Sequence, residues 1–308
     1  MKQFEYRAVC PKFYNQCLAK ANLLLDHISE TLNKPKIKIT PLDIIEYFEI
    51  NYNILFTFFE EAPSHNINKF EGLVRNSSFE CVNIKLANRL PGFTYPSKGR
   101  VVIMINQTLP RSRVIYTILH ELCHLYFHNI EENKKIFASK FYGNYSNNVL
   151  PYEDEANVIA SILFCPTTKL ESLFYNKYSF NKIALVTNMS NKALHNRLIN
   201  YLYYTLKLPR PQALELVLGL KKNNQTSSDK IKYLVLQKNT KHSIDNSPSI
   251  KISNGNFINK IACSSFLKRL SINELILELE YAHATRNHLL EQLIMEEYYI
   301  KQSKKLLV

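Results

Sequence analysis

The sequence predicts an α+β fold in which a small sheet lies against one helix, followed by a helical region and a C-terminal extension. Three observations predict this fold. The runs "YNILFTFFEE" (52–61) and "RVVIMIN" (100–106) have the length and the aromatic or β-branched composition of strands. A helical pattern begins directly after Pro110, close behind the second run. Further along, capped helical patterns follow one another to about Gly219.

The composition is that of a globular protein without a membrane segment. Of the 308 residues, 46% are hydrophobic and 21% are charged, and this length allows one large domain or two. No stretch has the roughly eighteen consecutive apolar residues that a membrane span needs. The N-terminus has no apolar signal core, so we expect a cytoplasmic protein with no membrane partner.

Charge and cysteine content narrow the classes of site. The net charge of +13 makes nucleic acid a possible partner. No dense run of basic residues stands out, so we favour a general abundance of lysine over a dedicated binding surface. The six cysteines, at positions 10, 17, 81, 123, 165 and 263, form no CxxC pair. This spacing argues against a thiolate zinc site and against thioredoxin-like chemistry.

Two helices are predicted before the first strand. Apolar residues at helical spacing mark the first helix, over 12–31. The second begins at Pro41, because Thr40 can cap it and proline suits the first helical position. After the first strand, "GLVRNSSFECVNIKL" predicts a strand pair or a strand and a turn, and "LPGFTYPSKG" predicts a loop.

The segments after the Pro110 helix are predicted to be mainly helical. A helix over "YEDEANVIASILFC" is stopped by Pro166. A helix-turn-helix-like segment spans about 180–206, with Ser190 as the cap of its second helix. A further helix starts at Pro209 and ends near residue 219.

Beyond residue 220 the predicted elements are no longer the short capped helices that precede them, which predicts a separate C-terminal extension. The predicted segments are a linker at 221–230, short strands at 231–238 and 249–253, and a long helix from Ser271. We therefore place a first region at 1–222 and an extension of unknown role at 231–308. The apolar positions of its long helix suggest packing or a partner helix.

The motif H-E-x-x-H lies on the helix that follows Pro110, at His120, Glu121 and His124. On a helix, positions i and i+4 lie ~40° apart and about one turn along the axis. Both imidazoles can therefore reach one zinc ion. Glu121 lies on the neighbouring face, where it can act as a general base beside the metal. A core helix that happens to contain two histidines is the alternative, and the apolar neighbours, which force these polar groups into a cleft, weigh against it.

A catalytic zinc needs a third protein ligand. His128 is a poor candidate, because it lies about 12 Å along the axis from His120. It is better explained as a second-shell residue or as a cation at the helix C-terminus. Glu153 on the next helix is the better candidate, and Asn157, one turn further on, could orient a ligand histidine. Alternatively, the acidic cluster around Glu153 stabilises a helix N-terminus.

Three motifs in order resemble the ImmA/IrrE family of zinc metallopeptidases. They are "VVIMINQTLPRSRVIYTILHELCHLYFH", "YEDEANVIASILFCP" and "VTNMSNKALHNRL", and the resemblance covers roughly residues 20–220. It implies a zincin-like metallopeptidase core. One departure is Cys123, which stands where the family often has glycine.

The resemblance also implies a site and an activity. Zn²⁺ would be held by His120, His124 and Glu153, with Glu121 as the general base. The protein would be an intracellular endopeptidase that cleaves a regulatory protein, often a DNA-binding repressor of a mobile element or of a stress response.

Two matters stay open from the sequence. The donor that stabilises the oxyanion could be His195, Tyr152 or Arg197, although each has a structural role as its simpler explanation. The alternative function is a DNA-binding or protein-interaction regulator that uses the helix-turn-helix-like segment, with a structural or vestigial metal site. The apolar positions of its second helix favour packing against the core over DNA binding.

Overall fold

The computed structural model describes residues 7–61, 69–70, 72–97, 99–128, 137–138 and 145–245, together with the single residues 275 and 295. Contacts divide the chain into two units, 1–235 and 236–308. The sheet and the metal-binding motif belong to the first unit. In the second unit the described residues, 236–245, 275 and 295, are helical.

Ten described helices and five described strands make up the fold. The helices are α1 (Pro11–Thr31), α2 (Pro41–Asn51), α3 (Ile84–Ala87), α4 (Arg111–Phe127), α5 (Leu150–Phe164), α6 (Thr167–Tyr175), α7 (Phe180–Thr187), α8 (Asn191–Asn200), α9 (Arg210–Lys221) and α10 (Gln225–Asp245). The strands are β1 (Ile54–Glu61), β2 (Ser77–Val82), β3 (Gly92–Ser97), β4 (Arg100–Asn106) and β5 (Phe137–Ala138). A 3₁₀ turn spans Lys36–Lys38, and a π-helical turn at Tyr201–Thr205 continues α8.

The strands form one mixed sheet in the order β2-β1-β4-β3-β5. Strand β1 is parallel to both β2 and β4. Strand β3 is antiparallel to β4, with Thr94 opposite Ile103. On its other side β3 pairs with the two-residue strand β5, at Phe93 and Thr94.

Both faces of β1 and β4 are covered, which explains why their sequences are almost continuously apolar. Phe56 and Phe58 of β1 and Ile103 and Ile105 of β4 join the main core with the helices. On the opposite face a smaller cluster contains Phe59, Ala87, Val102 and Met104. The predicted small sheet against the motif helix is therefore present, and the fold is a mixed α+β fold.

Helix α2 begins at Pro41 with the predicted cap at Thr40. The backbone N–H of Thr40 donates to Asp43 Oδ2 (2.7 Å), and the backbone N–H of Asp43 donates to Thr40 Oγ1 (3.4 Å). This reciprocal capping box satisfies two N–H groups that the helix leaves unpaired. Lys34 Nζ adds a hydrogen bond of 2.7 Å to the same carboxylate.

The predicted loop at residues 90–99 was wrong, because most of it forms strand β3. Its Gly and Pro residues have the composition of a loop, but the segment gains a strand partner in β4, with Pro96 opposite Val101. Pro96 lies beyond the two residues of β3 that pair with β5. A proline there removes no hydrogen bond to β5, as expected for the edge part of a strand.

The predicted linker at 221–230 and the strand at 231–238 were also wrong. Helix α9 ends at Lys221, and α10 begins at Gln225 and includes the predicted strand. Ile231 and Val235 are four residues apart and both are buried in the main core, so the apolar run satisfies a helical period. The division between the two units falls within α10.

Two further predictions concern the C-terminal extension. The short strand at 249–253 lies outside the described residues. Of the helix predicted from Ser271, the structure describes residues 275 and 295, and both are helical. Among the helices described, none combines the length and the apolar content needed to cross a membrane.

Candidate metal centre

Helix α4 carries His120, Glu121 and His124 through the interior of the first unit. It packs against α2, α5, β3 and β4, and every residue from 117 to 125 is buried. Buried polar groups need partners, so the three side chains must satisfy one another or a ligand. Burial raises the pKa of the Cys123 thiol well above its ordinary value, which leaves this residue with a packing role.

Helix α5 runs beside α4 and brings Glu153, in its first turn, against the two histidines. Glu153 Oε2 lies 3.2 Å from His120 Nε2, and Oε1 lies 3.5 Å from His124 Nε2. The two Nε2 atoms are 3.1 Å apart. Together the three residues offer ligand atoms within 4.8 Å of one another, and all three are buried.

The spacing of these atoms fits a metal ion. Tetrahedral zinc with ligands at about 2.0–2.2 Å holds its ligand atoms roughly 3.3–3.6 Å apart. The two Nε2 atoms are 3.1 Å apart, and the distances from them to Glu153, 3.2 Å to Oε2 and 3.5 Å to Oε1, lie close to that range, although they involve different carboxylate oxygens. Both carboxylate oxygens of Glu153 are buried without a hydrogen bond of good geometry among the described residues. A buried carboxylate in that position is stabilised by a cation.

The charges in the cluster suit metal ligation. Burial lowers the pKa of His124 to about 3, which keeps its imidazole neutral. Burial alone would raise the pKa of Glu153, but the neighbouring His120 and His124 outweigh it and hold that pKa below its ordinary value. Burial opposes the charged form of His120 too, yet contact with Glu153 raises its pKa. A bound cation would balance the negative charge of Glu153, as a proton on His120 does without it.

Glu121, one position after His120, contacts strand β3. Thr94 Oγ1 donates a hydrogen bond of 2.7 Å to Glu121 Oε2, and both residues are fully buried. Gly92 makes this approach of strand and helix possible. A Cβ atom at Gly92 would lie 2.6 Å from Thr117 Cγ2 and 2.9 Å from the Met104 carbonyl oxygen.

His128 lies behind His124 instead of among the ligand atoms. Its Nδ1 is 2.8 Å from His124 Nδ1, and its Nε2 is 3.5 Å from Glu155 Oε2. Glu155 also forms an ion pair with Lys20 of α1. Burial would raise the pKa of Glu155, but His128 and Lys20 outweigh it and lower that pKa. His128 thus contacts His124 and Glu155, and its role in support of a ligand stays a prediction.

Asn157 does not reach a histidine in the described structure, contrary to the prediction. Its Oδ1 accepts a hydrogen bond of 3.0 Å from the Tyr116 hydroxyl, which also contacts the Asn157 carbonyl at 3.2 Å. The Tyr116 ring lies 6.4 Å from the His120 ring, centroid to centroid. Asn157 therefore supports the ring next to His120 and not a ligand itself, because Tyr116 stands between α5 and that part of α4.

The structure gives Arg197, one of the three oxyanion-donor candidates, partners outside the cluster. Arg197 is fully buried, and it donates to the Cys165 carbonyl (3.2 Å) and to Thr167 Oγ1 (3.0 Å). Cys165 follows the last residue of α5, about 18 Å along the helix from Glu153. Arg197 therefore ties α8 to the α5–α6 connection, and its role as a donor stays a prediction.

His195 belongs to the helical region as well. Partial burial and then the charge of Lys221 on α9 lower its pKa, so its neighbours are those of the α8–α9 packing. Tyr152 is the candidate that stays near the site, since its ring lies 5.0 Å from the His128 ring, centroid to centroid. Its role as a donor stays a prediction.

Two residues near the cluster were missed in the sequence. Thr94 lay in the predicted loop, and nothing in its local pattern distinguishes it from other threonines. Glu155 lies ~200° around α5 from Glu153, so helical geometry places it off the metal side. The spacing of His128, one turn after His124, was the one local feature of the sequence that pointed to residues in contact with the ligand histidines.

The helices around the turn at residues 188–190 have the predicted boundaries. Asn188 adopts a left-handed conformation (φ 54°), and Ser190 Oγ accepts from the Ala193 N–H at 3.2 Å. Leu194 and Leu198 of α8 are buried in the main core. The interpretation of this helix pair as a DNA-binding motif stays a prediction.

Comparison with known families matches the segment that contains the cluster. Residues 85–199 match the family model Peptidase_M78, described as IrrE N-terminal-like domain. A comparison with curated proteins gives no match. The matched segment contains the HExxH motif and Glu153, that is, all the candidate ligands and the candidate base. Over residues 85–199 the chain is therefore similar to the Peptidase_M78 family, in agreement with its resemblance to ImmA/IrrE.

Proposed function

We propose that the protein is a zinc-dependent endopeptidase that hydrolyses a peptide bond in a regulatory protein. The observation that carries the proposal is the buried cluster of His120, His124 and Glu153, with Glu121 held beside it by Thr94. Two imidazoles and one carboxylate are a ligand set of catalytic zinc sites, which keep one further position for water or substrate.

When bound, zinc acts as a Lewis acid that polarises a carbonyl group and lowers the pKa of water. The protein supplies the remaining chemistry. Glu121 accepts a proton from the attacking water and delivers it to the leaving amine as the C–N bond breaks. Its Oε2 accepts the hydrogen bond from Thr94, and we assign the proton transfer to the other oxygen, Oε1.

The surroundings of the site assist this role. Glu121 and the ligand side chains are buried, so water other than the reacting molecule is largely excluded from them. Exclusion of bulk water strengthens every electrostatic interaction within the site. The rigid packing of α4 between β3 and α5 holds the base and the ligands in fixed relative positions.

The proposed substrate is a DNA-binding repressor of a mobile element or of a stress response. The support for this substrate is the resemblance to the ImmA/IrrE family together with the matched domain. The same reasoning places the reaction inside the cell. A repressor encoded next to this chain is the first protein to test.

Cleavage can be tested with the full-length protein loaded with zinc. We expect the neighbouring repressor to be cut at one or a few peptide bonds by the wild type and to stay intact with Glu121→Gln. Labelling of newly formed N-termini, followed by mass spectrometry, identifies the cut bonds. A chelator should stop the reaction, and added zinc should restore it.

A matched control separates loss of the base from loss of the site. Glu121→Gln keeps the three ligand residues, so it should bind zinc like the wild type while it loses activity. If zinc-loaded wild type and Glu121→Gln released the same N-termini from the repressor and from a whole-cell extract, the endopeptidase proposal would be wrong.

DNA binding is the alternative function, and the exposed Lys192 at the start of α8 favours it. A mobility-shift assay with DNA from the repressor's own promoter tests it. If binding weakens steeply with salt, survives Glu121→Gln and is lost with Lys192→Glu, the chain is a DNA-binding regulator. The endopeptidase proposal expects no such complex at physiological salt.

A further inference from the structure

Four side chains from three helices form a line that ends at the candidate metal site. His124 contacts His128 through their Nδ1 atoms, at 2.8 Å. His128 Nε2 lies 3.5 Å from Glu155 Oε2. Glu155 then pairs with Lys20 of α1. His128 is 6% exposed, so the contact between the two imidazoles is shielded from solvent.

The ring nitrogens that carry hydrogen along this line follow from which atoms must donate a hydrogen bond and which must accept one. His124 Nε2 faces His120 and Glu153, so it must present a lone pair if it binds a metal. The hydrogen of a neutral His124 then sits on Nδ1, which donates to His128 Nδ1. A neutral His128 in turn carries its hydrogen on Nε2, directed at the Glu155 carboxylate. The Nδ1 atoms of His124 and His128 then form one donor–acceptor pair, and at 3.5 Å the contact of His128 Nε2 with Glu155 Oε2 is mainly electrostatic.

We propose that His128 and Glu155 are positioning residues that orient His124 for the metal, and that Lys20 anchors Glu155. The inference rests on the metal site of the proposed function. A carboxylate that accepts from the outer nitrogen of a ligand imidazole selects its tautomer and increases its basicity. Here a second imidazole is inserted between the carboxylate and the ligand.

The two ligand histidines are supported unequally. His120 Nδ1 is buried and has no hydrogen-bond partner among the described residues. His124 has the His128–Glu155 pair behind it. The line of contacts therefore concerns one ligand, and its loss should weaken the hold on the metal without removing a ligand atom.

The line also reaches beyond the segment that matches the family model. Lys20 lies on α1, whereas the match covers residues 85–199. Helix α1 packs along α5, and this packing brings Lys20 to Glu155. The N-terminal helix thereby becomes part of the support of the metal site.

Zinc affinity of the full-length protein, measured by competition with a chromogenic chelator, tests the proposal without any substrate. We expect Glu155→Gln to weaken zinc binding about 10-fold, the lower end of the effect of outer-shell substitutions. Asp154→Asn is the matched control. It removes an equal charge from the next residue, whose carboxylate pairs with Arg7 at 3.1 Å instead of with His128. Its effect should be less than about 3-fold, because that pair is partly solvated.

A double-mutant cycle separates positioning from general stabilisation of the fold. In a His128→Phe background, Glu155→Gln should cause no further loss of zinc affinity, because Glu155 acts through His128. If Glu155 instead served only as the ion-pair partner of Lys20, Glu155→Gln would reduce zinc affinity equally in the wild type and in the His128→Phe background. Thermal unfolding of the zinc-free variants shows whether each is folded before the affinities are compared.

The tautomers supply a second and independent readout. In the zinc-loaded wild type labelled with ¹⁵N-histidine, NMR should show hydrogen on Nδ1 of His124 and on Nε2 of His128. The opposite tautomer on His128, equal effects of Glu155→Gln and Asp154→Asn, or additive losses in the cycle would each overturn the proposal. A wild type that binds no zinc would instead overturn the proposed function itself.

Discussion

The hydroxyl of Thr94 donates a 2.7 Å hydrogen bond to Glu121 Oε2, and both residues are fully buried. This contact connects strand β3 to the candidate general base on α4. A hydrogen bond to a charged group contributes about 1.5–3 kcal/mol. It holds one carboxylate oxygen of Glu121 in a fixed position.

Replacement of Thr94 by valine should slow cleavage of the substrate. The change keeps the shape of the side chain and removes the donor, so we expect kcat to fall about 10- to 100-fold. Thr94→Ser keeps the hydroxyl and should retain most of the activity. Zinc content, measured in parallel, should be the same in all three proteins. Equal kcat values for the valine and serine variants would contradict the assigned role.

Removal of either histidine ligand should abolish stable zinc binding. After dialysis the wild type should hold about one zinc per chain, and His120→Ala and His124→Ala should hold almost none, because two protein ligands remain. His195→Ala is the control histidine, since it lies in the α8–α9 packing, and it should keep its zinc. Metal analysis by mass spectrometry measures all four proteins. Retention of zinc by His124→Ala would refute the assigned ligand set.

Zinc should also stabilise the wild-type fold. A ligand that binds only the native state at about 1,000 times its Kd adds roughly 4 kcal/mol. We therefore expect a higher Tm with zinc for the wild type and an unchanged Tm for His124→Ala. Calorimetry with and without a chelator gives both values.

A methyl group at position 92 should destabilise the protein. The new Cβ of Gly92→Ala would lie 2.6 Å from Thr117 Cγ2 and 2.9 Å from the Met104 carbonyl oxygen, so β3 must move away from α4. We expect a loss of about 1–3 kcal/mol in the free energy of unfolding, which urea titration measures. Addition of Thr117→Ser to Gly92→Ala removes the methyl contact and should recover part of the loss. A neutral Gly92→Ala would show that strand and helix are less closely packed.

The capping box of α2 should make a pH-dependent contribution to stability. Burial would raise the pKa of Asp43, but hydrogen bonds from Lys34 and Thr40 outweigh it and lower that pKa below its ordinary 3.8. The carboxylate therefore stabilises the fold above pH 3.8, and this contribution is lost as the pH falls through the folded-state pKa. Asp43→Asn should cost about 1 kcal/mol at neutral pH.

The comparison of wild type and Asp43→Asn by urea unfolding at several pH values tests this sign. The difference between the two proteins should be constant at neutral pH and should shrink below about pH 4. Thr40→Ala removes the other half of the cap, and its cost should depend less on pH. A difference that grew on acidification would mean that the carboxylate does not act as the cap acceptor.

Local patterns predicted the elements whose determinants lie within a few residues. The buried strand β4 and the start of α2 followed from apolar composition and from a cap. Strand β3 did not, because its Gly and Pro residues form a strand only with β4 beside them. The sequence at 231–238 did not by itself distinguish a strand from a helix, because this choice also depends on the surrounding structure. Its apolar residues suit a strand or a buried helix, and burial of Ile231 and Val235 in the main core decided for the helix.

The sequence by itself determined that His120 and His124 share one face of α4, with Glu121 beside them, because four-residue spacing on a helix is local geometry. Only the tertiary structure decided what meets that face. Glu153 joins the histidines because α5 packs along α4, and Thr94 reaches Glu121 because β3 closes over the same helix. Glu155 and Lys20 lie behind His128 because α1 covers α5. These neighbours are far apart along the chain, and packing of the core alone brings them together.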